Sequence, residues 1–578
     1  MQSKNHNDSA MDERNDRSPN AGSDGTMIRI LVIFLILIAT ANAEITKVKE
    51  RGIADEHITC EWNNQKGVPC VTISAPITNS NKLGDQVTPT AVISKHTIEQ
   101  HNLTDLNKVL NFVQGMDITQ SGPTGQQSSV FLRGTNSNHT LVLLNGIPIN
   151  DFSTPTGAFD SGQDFMSNVT QVRVYKGTAG AHWGADAIGG AINLITTVDY
   201  DTKLSMSGSG NTQNVNANVY EKINDWDVSL NVGTHQSKTV SALSGADEKD
   251  GVDNTTVGMN VSRWWDKLQF TSSLFARNTF ADIDGHSVAI QDGKWSDNTF
   301  YAFQTGLDYH DQGNVTSLTL HTHEYDRDYD DAHYESQSYM VRAQHQTDWW
   351  GLGIDYKADE SLTANHDNLG LFANFSHDIF TYHYRKDREH DSYKVGFLQP
   401  LSDSFTLRGN YATGYKNRTT WGAEEFSNTQ EISLDYNNFT TTFFQSDVGN
   451  LNTDGIELGY GVKDFRVFAS HLNSKTGDSV NLRRPEWNLG FMHNLALEDK
   501  WSLTTNYKFK GEHLDIHISN WSTISMPDVH LLDLTLSKNW HGVNIGFTMN
   551  NVLDEVYESP HGFSQDGRQI NFGFRRSF

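Results

Sequence analysis

The ten residues Trp501-Ser502-Leu503-Thr504-Thr505-Asn506-Tyr507-Lys508-Phe509-Lys510 put Trp, Leu, Thr, Tyr and Phe at odd positions and Ser, Thr, Asn and Lys at even ones. A period of two places the two sets on opposite faces of a strand. Val228, Leu230 and Val232 alternate with Ser229 and Asn231 in the same way, and Ile456, Leu458, Tyr460 and Val462 repeat it. In a soluble sandwich the apolar face would be inside. In a membrane barrel it faces lipid, and the polar face lines a watery lumen.

The connections decide between the two. Short polar breaks fall at Asn224-Asp225, Asp266-Lys267, Gln312-Gly313-Asn314, Asp348 to Gly351 and Ser376-His377-Asp378. Others fall at Ser402-Asp403-Ser404, Asn437-Asn438, Lys463-Asp464, Asp499-Lys500 and Trp540-His541-Gly542. Longer stretches, such as Gln236 to Asn254 and Gly511 to Asp528, lie between them. Short turns alternating with long loops mark a transmembrane barrel with periplasmic turns and external loops. Ten turns and eleven loops join about 22 antiparallel strands, by the reading of such patterns. Trp264, Trp265, Trp349, Trp350 and Trp501 beside the turns fit an interfacial girdle. The chain ends Ile570, Phe572, Phe574, Arg576, Phe578, a closing strand.

Composition agrees. Only four of the 11 prolines follow residue 200, and proline removes a ladder hydrogen bond, so its scarcity there suits a long sheet. Aromatic residues make up 11%, too many for a disordered acidic chain. A net charge of −26 argues against a nucleic-acid binder. No apolar run reaches the roughly 20 residues of a membrane-spanning helix.

The longest apolar run, Ile30 to Ala39, follows Arg29 and ends at Ala41-Asn42-Ala43, the small-x-small pattern of a signal-peptidase site. Residues 27–43 read as a signal peptide, with Met27 as the start and residues 1–26 as an unstructured extension or mis-assigned start. The exported chain begins near Glu44 with a periplasmic arm over 44–75. Its two cysteines, Cys60 and Cys70, are expected to close a disulfide in an oxidising compartment, the alternative being two free thiols. Residues 76–199 read as a small α/β domain. Thr104 to Phe112 suggests a helix, Val130 to Leu132 and Leu141 to Leu144 suggest strands, and Asn145-Gly146 a turn. A lumen as wide as that of a 22-strand barrel over 200–578 has room for such a domain as a plug.

Several motifs in this domain carry a resemblance. They are Gly115-Met116-Asp117-Ile118-Thr119, Ser128-Ser129-Val130-Phe131-Leu132-Arg133-Gly134-Thr135, Leu141 to Pro148, Val172-Arg173-Val174-Tyr175-Lys176-Gly177, and Trp183 to Thr197. In this order they resemble the plug of TonB-dependent outer-membrane receptors. The resemblance implies a receptor that imports a scarce nutrient and is not an enzyme. It also implies TonB and outer-membrane lipid as partners, and an outer membrane of a Gram-negative bacterium as the location. Val71-Thr72-Ile73-Ser74-Ala75 resembles the TonB box, which donates a strand to TonB. Arg133 and Arg173 are expected to pair with carboxylates of the barrel wall. The plug's wall contacts are expected to be polar and reversible, since import requires it to move.

Within the family, Gly115 to Gln120, Gly125 to Ser129 and Arg133 to His139 look most similar to cobalamin receptors. That resemblance makes cobalamin or a related corrinoid the expected ligand, with Asn136, Asn138 and His139 in the plug's apical loops as contacts. Asp247, Glu248, Asp250 and Asp253 in one external loop, with Asp282, Asp284, Asp292 and Asp297 in the next, are candidates to hold calcium, because hard cations take oxygen ligands. A plain solvated acidic surface is the competing reading, and Asp326, Asp328, Asp330 and Asp331 share that ambiguity. A ferric-siderophore or haem receptor is the alternative. His321 with His323, and His513 with His517, motivate haem, but Tyr411 to Arg418 lacks the Phe-Arg-Ala-Pro motif usual in haem receptors. A plain porin or barrel adhesin would need neither plug nor coupling segment.

Overall fold

The structure, a computed structural model, describes Thr88 and residues 90–285, 294–417 and 423–578. The expectations for the extension, the signal peptide, the periplasmic arm, Cys60, Cys70, the segment Val71 to Ala75, and Asp292 lie outside these residues. Among the described residues, 22 long antiparallel strands close into a barrel, from Lys203–Gly208 to Gln569–Ser577. The last strand seals the first, with Phe572 opposite Gly208 and Ser577 opposite Lys203.

The alternation has the membrane sense. In the strand Asn314–Tyr329, Val315, Ser317, Thr319, His321, His323 and Tyr325 are buried inside, whereas Leu318 and Leu320 are each 44% exposed. The strand Trp501–Lys510 buries Thr504, Asn506 and Lys508 and turns Trp501 outward. An apolar outer face and polar inner face suit lipid outside and a polar lumen inside.

All ten short breaks are turns between consecutive strands. Asn224, Asp266, Gln312, Asp378, Asn437 and His541 have φ between +49° and +56°. Short polar side chains, Asn and Asp above all, adopt this left-handed conformation at low cost, which is why the turns were visible as composition. Trp264, Trp349 and Trp540 stand exposed beside them.

The external side departs more from expectation. Strands Trp226–Lys238 and Gly251–Trp265 stay paired as far as Lys238 opposite Gly251, so that loop shrinks to 239–250. Only two residues, Asp330 and Asp331, separate Tyr329 from Ala332. The stretch 511–528 folds into its own hairpin, His513–Ile516 against Thr523–Met526.

The plug contains strands β1 (Thr90–Ser94), β2 (Met116–Gln120), β3 (Ser128–Leu132), β4 (Thr140–Leu144), β5 (Ile147–Pro148), β6 (Gln171–Lys176) and β7 (Gly190–Ile195). Five form a sheet in the order β1-β6-β7-β4-β5, and β2 pairs with β3. Helix α1 (Lys95–Gln100) follows β1, and α2 (Leu106–Leu110) begins at Asp105, whose carboxylate accepts from the Lys108 N–H at 2.9 Å. That cap satisfies one of the unpaired N–H groups of a helix start. Leu106, Val109 and Leu110 on α2 join Val172, Val174, Ile192 and Leu194 in the plug core. Asn145 and Gly146 turn with φ of 51° and 83°, as the turn signal requires.

The same core continues into the wall through Phe275, Phe300, Tyr325, Phe468 and Met492. The plug is therefore seated partly on dry apolar surface, correcting the expectation of purely polar contacts. Burial of such side chains contributes about 1.5–3 kcal/mol each, which resists any wholesale departure.

Candidate functional site

The plug is clamped to one side of the wall by charge. Arg133 follows β3 with φ +50°, and Gly134 continues the turn at +75°. A Cβ on Gly134 would lie 2.9 Å from Leu472 Cδ2 and from Ser474 Cβ, so only glycine lets the turn approach this closely. The turn aims the Arg133 guanidinium at two wall carboxylates. Nη1 donates to Glu431 at 2.7 Å, while Nε and Nη2 donate to the two oxygens of Glu457 at 3.1 and 3.0 Å. Lys176 at the end of β6 donates to the same Glu457 at 3.0 Å. Two cations thus meet two carboxylates in a buried, neutral cluster. Burial disfavours the Arg133 charge, but Glu457 and Glu431 outweigh it and raise the guanidinium above its ordinary value. For Lys176 burial dominates, and its ammonium is held below the ordinary value despite Glu457.

Arg173 is not part of this cluster. It is fully buried, its Nε donates to Gln171 at 2.6 Å, and Nη1 and Nη2 have no hydrogen-bond partner among the described residues. Residues 172, 174 and 176 share one face of β6 and residue 173 takes the other, so Lys176 replaces it in the clamp. Glu431, Glu457 and Lys176 were missed in the sequence. The available signal was a Glu at an inward position flanked by the hydroxyls of Thr429 and Ser433.

Further contacts surround the plug. Asp164 pairs with Arg277, Asp186 with Lys416 at 3.3 Å, and Ser474 donates to the Gly134 carbonyl at 2.8 Å. Towards the strands that meet at the barrel's closure, a cavity of about 370 Å³ separates plug and wall. Asn214, Asn216, Asn231, Thr504, Thr548 and Asn571 line it. Beside it, α1 is tied to the wall by Glu99 with Lys203 and with Arg575 at 3.6 Å, while Lys95 pairs with Asp199 in the connection to the first barrel strand.

At the outer end, Asn136 and Asn138 are half-buried. Asn136 Oδ1 accepts from Arg484 Nη2 at 2.8 Å, a partner not foreseen in the sequence. His139 is 1% exposed; the Asn136 N–H donates to its Nδ1 at 3.3 Å, and its Nε2 lies 2.7 Å from Glu425. His139 therefore braces the loop against the wall instead of presenting a free ring. His321 and His323 are likewise buried, 3.1 Å apart.

Of the candidate calcium ligands, Asp250, Asp282 and Asp284 surround one loop. Asp250 accepts from the Ala242 N–H at 2.6 Å, Asp282 from the Gly251 N–H at 3.1 Å, and Asp284 from the Leu243 N–H at 2.8 Å. Asp284 Oδ1 is buried without a hydrogen-bond partner among the described residues. Burial, with Asp284 nearby, pushes the Asp250 carboxyl up to about 7. Asp253 is exposed and accepts from Gln236 at 2.8 Å, and Asp247 is exposed, so neither joins the group. The loops themselves interlock: Ser564 N donates to the Ala242 carbonyl at 2.8 Å, and His561 N to Asp515 at 2.8 Å. Asp566 accepts from Thr124 in the plug at 3.2 Å.

Residues 82–191 match the TonB-dependent receptor plug domain. The fold is similar to the siderophore receptor PirA from Acinetobacter baumannii, with a TM-score of 0.72 and 13% identity over 87% of this chain and 100% of that one. It is similar to P. aeruginosa FpvA bound to heterologous pyoverdines, at 0.71 and 13% over 89% of each chain. The ferric-catecholate import receptor Fiu from E. coli K12 gives 0.68 and 13% over 85% of this chain and 97% of that one. At these identities the likeness shows the fold alone. The described residues thus place a domain that matches the TonB-dependent receptor plug inside a closed barrel of 22 antiparallel strands.

Proposed function

We propose that this receptor imports a ferric siderophore, energised by TonB through the segment Val71 to Ala75. The observation that carries the import reading is the seated plug. Its clamp at Arg133, Lys176, Glu431 and Glu457 and its apolar seat leave a porin's free diffusion without an open lumen, so passage calls for work done on the plug. The ligand class is supported by the names of structures sharing the fold, among them a siderophore receptor and a ferric-catecholate import receptor. Import of cobalamin or another corrinoid is the second reading, favoured by the apical run Arg133 to His139. In either case Asn136 and Asn138, with Arg484 behind them, form the floor of the ligand site. A calcium ion at Asp250, Asp282 and Asp284 would order the loop above it.

Equilibrium binding separates the two ligands. Purified receptor is expected to retain radioiron presented as mixed ferric siderophores and not radiocobalt presented as cyanocobalamin. Retention of cyanocobalamin alone would replace the first reading by the second.

A further inference from the structure

The outer mouth of the barrel is charged almost entirely in one sense. In the described external connections, 18 side chains are carboxylates and 5 are Lys or Arg, a net charge of −13. Four of the five cations are already engaged. Arg388 pairs with Asp367 at 2.6 Å, Arg483 with Asp515 at 2.7 Å, and Arg568 with Asp554 at 2.9 Å. Lys249 sits in the run Asp247-Glu248-Lys249-Asp250. Arg484 points down at the plug, donating to the Gly134 and Thr135 carbonyls at 3.3 Å and to Asn136 at 2.8 Å, with its guanidinium 3.7 Å from the Phe131 ring centre.

Below the mouth the pattern continues. Arg327 faces Asp151 at 3.8 Å, Lys357 faces Asp359 at 2.8 Å, and Lys510 faces Asp117 at 3.1 Å. A polyanion is recognised by guanidinium and ammonium groups free to donate to it. Here such a ligand would have to displace a carboxylate from Arg388, Arg483 or Arg568, or the plug carbonyls and Asn136 from Arg484, inside a field that repels it. A cation meets the opposite situation. A cleft lined by one sign of charge raises the local concentration of the opposite ion by 10–10³.

We propose that the receptor takes cationic or neutral complexes and rejects polyanionic ones. Among ferric chelates the fit is to tris-hydroxamates that carry a free ammonium group, not to tris-catecholates with three negative charges; a corrinoid without net negative charge also satisfies it. This narrows the ligand class of the import reading and rests on it. The name of the ferric-catecholate import receptor sharing the fold does not carry over, because fold likeness does not fix surface charge.

The test uses two octahedral chromium(III) tris-chelates of similar size and opposite charge, tris(ethylenediamine)chromium and tris(oxalato)chromate. The oxalate complex has the charge of a ferric tris-catecholate. A nitroxide is attached at Thr156→Cys, an exposed position of the plug, in full-length protein with Cys60→Ser and Cys70→Ser, reconstituted in nanodiscs. At low salt the cation is expected to relax the label at least about tenfold more strongly than the anion. The ratio is expected to fall towards one in high salt as screening shortens the field. Equal relaxation at low salt, or a preference for the anion, would overturn the proposal. The readout needs no ligand, so a receptor that imported nothing would still give an answer here.

Discussion

Arg133 in the plug and Glu457 in the barrel wall meet through two parallel hydrogen bonds of 3.1 and 3.0 Å although 324 residues separate them in sequence. The geometry is bidentate, the strongest form of such a pair, and Lys176 shares the same carboxylate. Glu457→Ala would leave two buried cations with only Glu431 between them. Breaking one side of a buried ion cluster costs about 3–5 kcal/mol. Hydrogen exchange of β6 and β7 in the folded barrel is expected to show that loss as faster plug opening. Unchanged protection would mean that the apolar seat, not the clamp, holds the plug.

Asp160 provides a pH-dependent test of plug packing. Its carboxylate accepts from the Ser128 and Gly162 N–H groups at 2.9 and 3.0 Å, yet burial pushes it up to about 6. An unfolded Asp titrates near 3.9. Between about pH 4 and 6 the folded state therefore binds the extra proton, and stability falls as pH rises through that window. Asp160→Asn keeps an acceptor and removes the charge. The variant is expected to melt higher than wild type at about pH 8, with the difference vanishing below about pH 4. A variant less stable than wild type at the higher pH would refute the assignment of burial as the dominant influence.

The loop at 239–250 offers a second. Apposed carboxylates repel, and a divalent ion converts that repulsion into order. Calcium is expected to protect this loop from proteolysis in the wild type at neutral pH. In the Asp250→Asn, Asp284→Asn double variant that effect should disappear. Protection identical in calcium and chelator would leave these side chains as braces for the Ala242 and Leu243 N–H groups only.

Arg484 and Asn136 join an external loop to the plug apex. Arg484→Ala removes donors to Gly134, Thr135, Asn136 and the Leu482 carbonyl at once. The variant should assemble and remain heat-modifiable but bind ferric siderophore at least about tenfold more weakly, the effect of losing about 1.4 kcal/mol of loop organisation. Unaltered affinity would place the ligand floor elsewhere.

The sequence made local features legible and left tertiary ones obscure. Strand alternation and turns such as Asn224-Asp225 are written in composition because a pleat and a left-handed φ each restrict the residues that fit. The extent of the strands above the membrane was hidden, since Gln236 to Lys238 pair with Gly251 to Asp253 through backbone groups that any residue supplies. The clamp was half legible. Arg133 was visible as a motif residue, but choosing between Arg173 and Lys176 required knowing which face of β6 meets Glu457. His139 looked like a ligand contact because the contact it makes, Glu425, lies 286 positions away in the chain.

Energised uptake tests the central claim most directly. Cells lacking their own siderophore receptors would express this protein intact, or without Val71 to Ala75, and be given radioiron as mixed ferric siderophores, with and without functional TonB. Import is expected only in cells with both TonB and the intact segment, while surface binding stays equal in all four. Uptake at the same rate without TonB would contradict the account and return the barrel to the class of passive pores.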